Sequence, residues 1–149
     1  MKKLCVILSL ALILCFMVSF QAQADKEEDV KTAVANLYSA LNAKNTDTFV
    51  QYMAPGGYTE FSEDGSPLFN IDEEYIRRGF ARDWKVNFEI QELKVKVFES
   101  AAVVTGYRVE TLAMSDGTTQ KIRLCLSMMW FHQEGKWKLA HVHLSPPKS

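Results

Sequence analysis

The chain has 149 residues, 17 Lys+Arg against 18 Asp+Glu for a formal net charge of −1, and 48% hydrophobic residues. That length suits one domain with a single core. The near-balanced charge, with no dense basic patch, no repeat and no low-complexity run, excludes a nucleic-acid partner recognised through electrostatics.

The chain opens on a leader. Lys2 and Lys3 form a positive start, Leu4 to Phe20 is almost continuously apolar, and Ala22-Gln23-Ala24 supplies a small-x-small cleavage pattern. Apolar length alone also fits a membrane span, which needs roughly 18–20 residues. The cleavage pattern, followed by charged Asp25-Lys26-Glu27-Glu28-Asp29, favours a signal peptide instead. A lipoprotein signal at Cys15 is excluded by Leu14, which stands where a small residue is needed. Residues 1–24 are therefore expected to be removed, leaving one domain over 25–149 that is periplasmic or secreted, with no stable membrane anchor. Cleavage takes Lys+Arg from 17 to 15 against 18 acidic residues, a net charge of about −3. It also leaves Cys125 as the single thiol, so the domain must be held by its core rather than by an internal disulfide. Cys125 lies in a strand-like run and reads as a buried small hydrophobe.

Asp29 to Ala43 reads as an amphipathic helix, with Val30, Val34, Leu37, Tyr38 and Leu41 on one stripe. Asp47 to Met53 reads as a shorter second helix, ended by Pro55-Gly56-Gly57. A short strand over Tyr58 to Phe61 and a turn over Glu63 to Pro67 follow. Asp72 to Trp84 is the third predicted helix, with Ile76 and Phe80 inward and Arg77, Ala81 and Trp84 on an adjacent line. The period then changes. Asn87–Phe98, Ala101–Ala113, Thr118–Gln133 and Lys136–Leu144 are strand-like, joined at Ser115-Asp116-Gly117 and Gln133-Glu134-Gly135 by glycine-bearing hairpin turns. Helices first and an antiparallel meander afterwards give an α+β fold, the helices packed on one face of a curved sheet.

The closing run, Trp130-Phe131-His132-Gln133-Glu134-Gly135-Lys136-Trp137-Lys138-Leu139-Ala140-His141-Val142-His143-Leu144-Ser145, resembles the last hairpin of the nuclear transport factor 2-like superfamily. It is most similar to the SnoaL-like branch and to the association domain of calcium/calmodulin-dependent protein kinase II. The resemblance extends through Leu37 and Leu41, Pro55-Gly56 with Phe61, and Tyr107-Arg108. It implies a cone in which a strongly bent antiparallel sheet wraps one long helix, with a pocket at the open end and homodimerisation through the outer sheet face. The same shell serves isomerases, dehydratases, cyclases, transport factors and assembly hubs, so the fold does not name an activity.

Two chemistries are implied for the pocket. Tyr38 stands where steroid isomerases of the superfamily keep an oxyanion tyrosine, but Phe61 falls where their aspartate base belongs, and alternation turns Glu60 opposite to Phe61. The association-domain comparison places Arg77 and Arg108 at two arginines of a carboxylate-binding pocket, with Met128 in place of a third and Arg123 on the other strand parity. Two such guanidiniums would clamp a carboxylate; equally, they would pair with Glu74 and Glu110 and simply satisfy a polar cavity. His141 and His143 share a strand face with Trp137 and Leu139 by alternation, as hydrogen-bonded members of the pocket wall or of an interface, or as a base with an intrinsic pKa of about 6.5. Two ligands do not make a metal site, and neither a metal nor another cofactor is expected.

The reading is an exported small-molecule-binding domain for a small anionic or partly apolar ligand. Arg77, Arg108, His141 and His143 supply polarity, and Tyr38, Tyr52, Trp84 and Trp130 the walls. The alternatives are an isomerase, dehydratase or hydrolase with a His or Glu base, and an assembly module with a vestigial pocket.

Overall fold

The computed structural model describes residues 23–148; the leader expected over 1–24 lies outside them, apart from Gln23 and Ala24. The first helix, α1, covers residues 23–42. Its stripe Val30, Ala33, Val34, Leu37 and Tyr38 is buried, as the three- and four-residue spacing requires. Lys44 turns the chain at a φ of 51°, and Asn45 then caps α2 (Thr46–Val50) by accepting the Thr48 N–H at 3.0 Å. This helix is shorter than the expected 47–53. Met53 bridges Leu139, the Leu139 N–H donates to the Tyr52 carbonyl at 2.6 Å, and the Ala54 N–H donates to the Leu139 carbonyl at 2.9 Å. These strand-like bonds draw the chain out of the helix.

Strands β1 (Tyr58–Phe61) and β2 (Phe69–Ile71) precede α3 (Glu73–Phe80), which Asp72 caps through the Tyr75 N–H at 2.8 Å. The expected helix ran on to Trp84. Instead it stops at Phe80, and the Trp84 indole folds back to donate to the Gly79 carbonyl at 3.0 Å. Then come β3 (Val86–Phe98), β4 (Ala101–Ala113), β5 (Thr119–Gln133) and β6 (Lys136–Ser145). β2 had no strand signal in the sequence: three residues are too few to show a period.

The six strands form one curved, open sheet in the order β2-β1-β6-β5-β4-β3. Its pairs are antiparallel except β1 with β6, which is parallel, so the sheet is mixed rather than a pure meander. The α+β arrangement otherwise follows the expectation. Asn42 fastens the end of α1 to β3 by presenting its side-chain amide to the Phe88 N–H and carbonyl, both at 2.8 Å.

Two irregularities shape the sheet. In β3, the register shifts between Gln91 and Lys94 opposite Gly106 of β4, and a Cβ at Gly106 would meet the Gln91 carbonyl oxygen at 2.9 Å. In the last hairpin, Trp130 pairs with Leu139 but Met129 pairs with His141, so Ala140 is an extra residue in β6. Parity inverts across it: Trp137 and Leu139 are buried before the bulge, Val142 and Leu144 after it. Cys125, on the face opposite buried Leu124 and Leu126, is half-buried rather than the core residue expected.

Gly57 is the tightest backbone position, with a φ of 103° and the Ile71 carbonyl oxygen 2.3 Å from where a Cβ would stand. Gly57→Ala is expected to lower the unfolding free energy by about 2–4 kcal/mol in urea denaturation. Gly56→Ala, with positive φ but open space around it, should lose only about 1 kcal/mol.

Candidate functional site

Between α1 and the concave face of the sheet lies a cavity of about 230 Å³. Leu37, Tyr38 and Leu41 reach it from α1, and Phe49 and Ile76 from the shorter helices. Phe88, Met128, Leu139 and Val142 complete its apolar wall from the sheet. Its polar part is a cluster of Tyr38, Tyr58, Glu60, Arg108 and Glu110, with exposed Glu63 at the edge.

Strand register assembles this cluster. Phe88 is paired with Glu110 across β3 and β4, and Glu60 with Val142 across β1 and β6, so all four project to the concave side. Arg108 and Glu110, two apart on β4, form an ion pair with side chains only 14% and 12% exposed. The Arg108 Nε is buried without a hydrogen-bond partner among the described residues. The guanidinium also stands over the Phe88 ring, 5.4 Å from its centroid.

Burial pushes the Tyr38 phenol up to about 12, only partly offset by the adjacent Arg108, so it is a neutral donor over the physiological range. Burial raises Tyr58 in the same direction, with Glu60 adding to it. The Glu60 carboxyl is raised above its ordinary value, first by burial and then by Glu63 and Glu110; Arg108 and the hydroxyl of Ser62, which donates to Glu60 at 3.1 Å, oppose the shift. Burial works against the charge of Arg108, but Tyr38, Glu110 and Glu60 outweigh it and hold the guanidinium protonated. A carboxyl poised to take a proton beside a neutral phenol is the donor–base combination that proton transfer next to a carbonyl requires.

Of the eight expected site residues, the structure brings Tyr38 and Arg108 together in this cavity. Arg77 is corrected. It lies on the outer side of α3, half exposed, donating to Glu73 at 2.7 Å and Asp47 at 3.2 Å. Its expected partner Glu74 pairs with Arg78 instead, at 3.4 Å. His141 and His143 are also corrected, because the Ala140 bulge turns both to the convex face. There His141 Nδ1 is 2.8 Å from Thr59 Oγ1, and Phe61 packs against both imidazoles. Tyr52 borders a separate groove with Asn36, His132 and Trp137. Trp84 packs between Phe80 and Phe88 under the Lys44 ammonium, and Trp130 is fully buried in the core.

Counting along the chain from Met53 puts Phe61 in the inward place and turns Glu60 away from it. The parallel pairing of β1 with β6, beyond the bulge, makes Glu60 the inward residue. No local signal announces that pairing. The Glu110 carboxylate was legible, since its spacing from Arg108 fits a same-face pair on one strand. Among the described residues no group of three His, Cys, Asp or Glu is placed to hold a metal ion.

Comparison with known proteins gives the fold's lineage. The chain is similar to the association domain of calcium/calmodulin-dependent protein kinase II from C. elegans, with 22% identity, a TM-score of 0.71, and coverage of 83% of this chain and 98% of that one. It is also similar to a proposed dehydratase of the nuclear transport factor 2-like family from Streptomyces avermitilis, with 17% identity, a TM-score of 0.72, and coverage of 85% and 99%. A protein of unknown function from Mycobacterium tuberculosis matches at 16% identity and a TM-score of 0.74, covering 87% and 76%. No curated protein matches the chain. The SnoaL-like domain model matches residues 30–149, so the chain belongs to the SnoaL-like family of nuclear transport factor 2-like domains.

Proposed function

We propose that this is an exported SnoaL-like domain that binds a small, partly apolar molecule in its cavity and self-associates through the convex sheet face. The observation that carries the binding reading is the cavity itself: apolar walls from α1 and the sheet, and one compact cluster of Tyr38, Glu60 and Arg108 at its polar end. The anionic ligand expected from two arginines loses its support. Arg77 is elsewhere, and Arg108 already has Glu110.

Small neutral aromatic alcohols and ketones are expected to raise the melting temperature. Arg77→Ala should leave that shift intact, while Tyr38→Phe should reduce it by removing the phenol donor. An undiminished shift in Tyr38→Phe would remove Tyr38 from the site.

Proton-transfer catalysis is favoured as a second reading by the raised Glu60 beside the neutral Tyr38 phenol. One variant, Glu60→Gln, tests both the chemistry and the electrostatics. Because the folded-state pKa of Glu60 is raised, the native state holds the proton more tightly than the unfolded chain. Its contribution is most favourable below the ordinary value of 4.5 and is lost as pH rises through the folded value. Glu60→Gln should therefore be more stable than the parent at pH 7 and gain less at pH 4, as read by thermal unfolding. If Glu60 is a base, the variant should also lose about 10²–10⁴-fold in exchange of deuterium into a carbonyl compound's α-position. Unchanged exchange would end the catalytic reading.

Export is supported by the leader, with Lys2, Lys3 and Ala22-Gln23-Ala24. Self-association is supported by exposed Phe98, Val103, Met129 and Phe131, which register pairing places on one convex surface. Native mass spectrometry of the chain recovered outside the cytoplasm should give a dimer of polypeptides beginning at Asp25, with Met129→Glu returning the monomer. A monomeric parent, or a chain still beginning at Met1, would sink the corresponding half of this reading.

A further inference from the structure

The charges that line the cavity are unequal. Among the described residues that line it, Arg108 is the single cation, and Glu60, Glu63 and Glu110 stand against it. Glu110 takes the Arg108 ion pair, which leaves Glu60 with the Ser62 hydroxyl as its hydrogen-bond donor and no ion pair among the described residues. We propose that the cavity is selective for a small organic cation, a protonated amine of the size of benzylamine, whose ammonium group pairs with Glu60. This rests on the reading of the cavity as a ligand site and names the charge of what enters it.

Three observations converge on that class. First, Glu60 is a half-buried carboxylate at the cavity wall whose charged form is penalised most by burial and less by Glu63 and Glu110, a penalty that Arg108 and the Ser62 hydroxyl offset only in part. An incoming cation is the ligand that relieves this penalty; a neutral molecule leaves it in place and an anion adds to it. Second, the rings of Tyr38, Tyr58 and Phe49 also line the cavity, and aromatic faces attract a cation once it is desolvated; the Phe88 ring already carries the Arg108 guanidinium. Third, exposed Glu63 borders the cavity, so the field at its edge draws cations and repels anions. The Arg108 guanidinium does not reverse this selection. Its charge is matched by Glu110, and its unpartnered Nε is a donor for a neutral oxygen elsewhere on the same ligand, such as a hydroxyl or ether.

The test uses matched probes on the purified protein: benzylamine, benzyl alcohol and benzoate, with butylamine, butanol and butyrate as a second set. Calorimetric titration at pH 7 is expected to show each amine binding at least about tenfold more tightly than its alcohol, roughly the 1.4 kcal/mol of one tenfold step. The carboxylates should be weaker still. Glu60→Gln should weaken amine binding until the amine-to-alcohol ratio is close to one, and the NMR ring signals of Tyr38 and Tyr58 should shift with amine in the parent protein. An alcohol or carboxylate that binds as tightly as its amine overturns the cation selectivity and leaves the ligand site standing. A preference that survives Glu60→Gln overturns the assignment to Glu60. No binding by any of the six probes overturns both this proposal and the ligand-site reading beneath it.

Discussion

One extra residue in the last strand decides what the concave face of this protein is made of. A strand alternates its side chains without exception unless a bulge intervenes. Here α1 needs apolar partners along the length of β6: Trp137 and Leu139 near the hairpin, and Val142 and Leu144 further on. Those four positions do not share one parity. The bulge at Ala140 reconciles them by inverting the strand between Leu139 and His141. Without it, either the first pair or the second would face solvent, and His141 and His143 would be pressed into the apolar core. The inversion also sets the facing of β1, which pairs with β6 beyond the bulge, and so brings Tyr58 and Glu60 inside and leaves Thr59 and Phe61 outside.

The polar cluster that results is held at a physical disadvantage. Burying Arg108 and Glu110 removes both from water, and such pairs recover that loss only with good geometry and further hydrogen bonds. In this cavity the recovery is incomplete. Among the described residues the Arg108 Nε has no partner, and Glu60 is raised by burial with one hydroxyl donating to it. Replacing the group by apolar side chains would give a simpler core. A cluster whose donors and acceptors are left over after internal pairing is characteristic of a surface that meets something else. Arg77 makes the contrast plain: its exposed pairing with Glu73 and Asp47 carries no such residue of unmet need and contributes little to stability.

Much of this fold is readable from residue periods, and the reason lies in length. The stripe of α1 and the alternation of β3, β4 and β5 each run for more than ten residues, long enough for tertiary packing to agree with local pattern. What was not readable depends on single residues or distant partners. Helix α2 yields its end to Leu139, nearly ninety places on. Ala140 bulges with no glycine to mark it, and β2 is three residues long. The site inherits those limits. Tyr38 and Arg108 sit on long, regular elements, where helical spacing and strand alternation lead to the face that each side chain takes. The facing of His141, His143 and Glu60 depends on the bulge and on a parallel pairing, and alternation counted along one strand misplaces all three. Arg77 fails for a different cause: a helical line that borders the buried stripe is as close to solvent as to core, and Asp47 and Glu73 draw it outward.

The two faces of the sheet are one peptide apart. On β5, Met128 lines the cavity while Met129 is exposed on the convex side; on β4, Arg108 lies in the polar cluster while Tyr107 stacks under Arg123, whose guanidinium is 3.7 Å from the ring centroid. Glu92 takes the other side of Arg123 at 2.7 Å from within the β3 bulge that faces Gly106. The positions of Arg108 and Tyr107 therefore follow from one backbone, bent at one place. A displacement of β4 that adjusts the inner cluster must also move the outer stack, and only Gly106, which has no Cβ to collide with Gln91, permits the strands to lie that close. Whatever occupies either face acts on the same strands β3, β4 and β5, and the curvature that encloses the cavity is the curvature that shapes the outer surface.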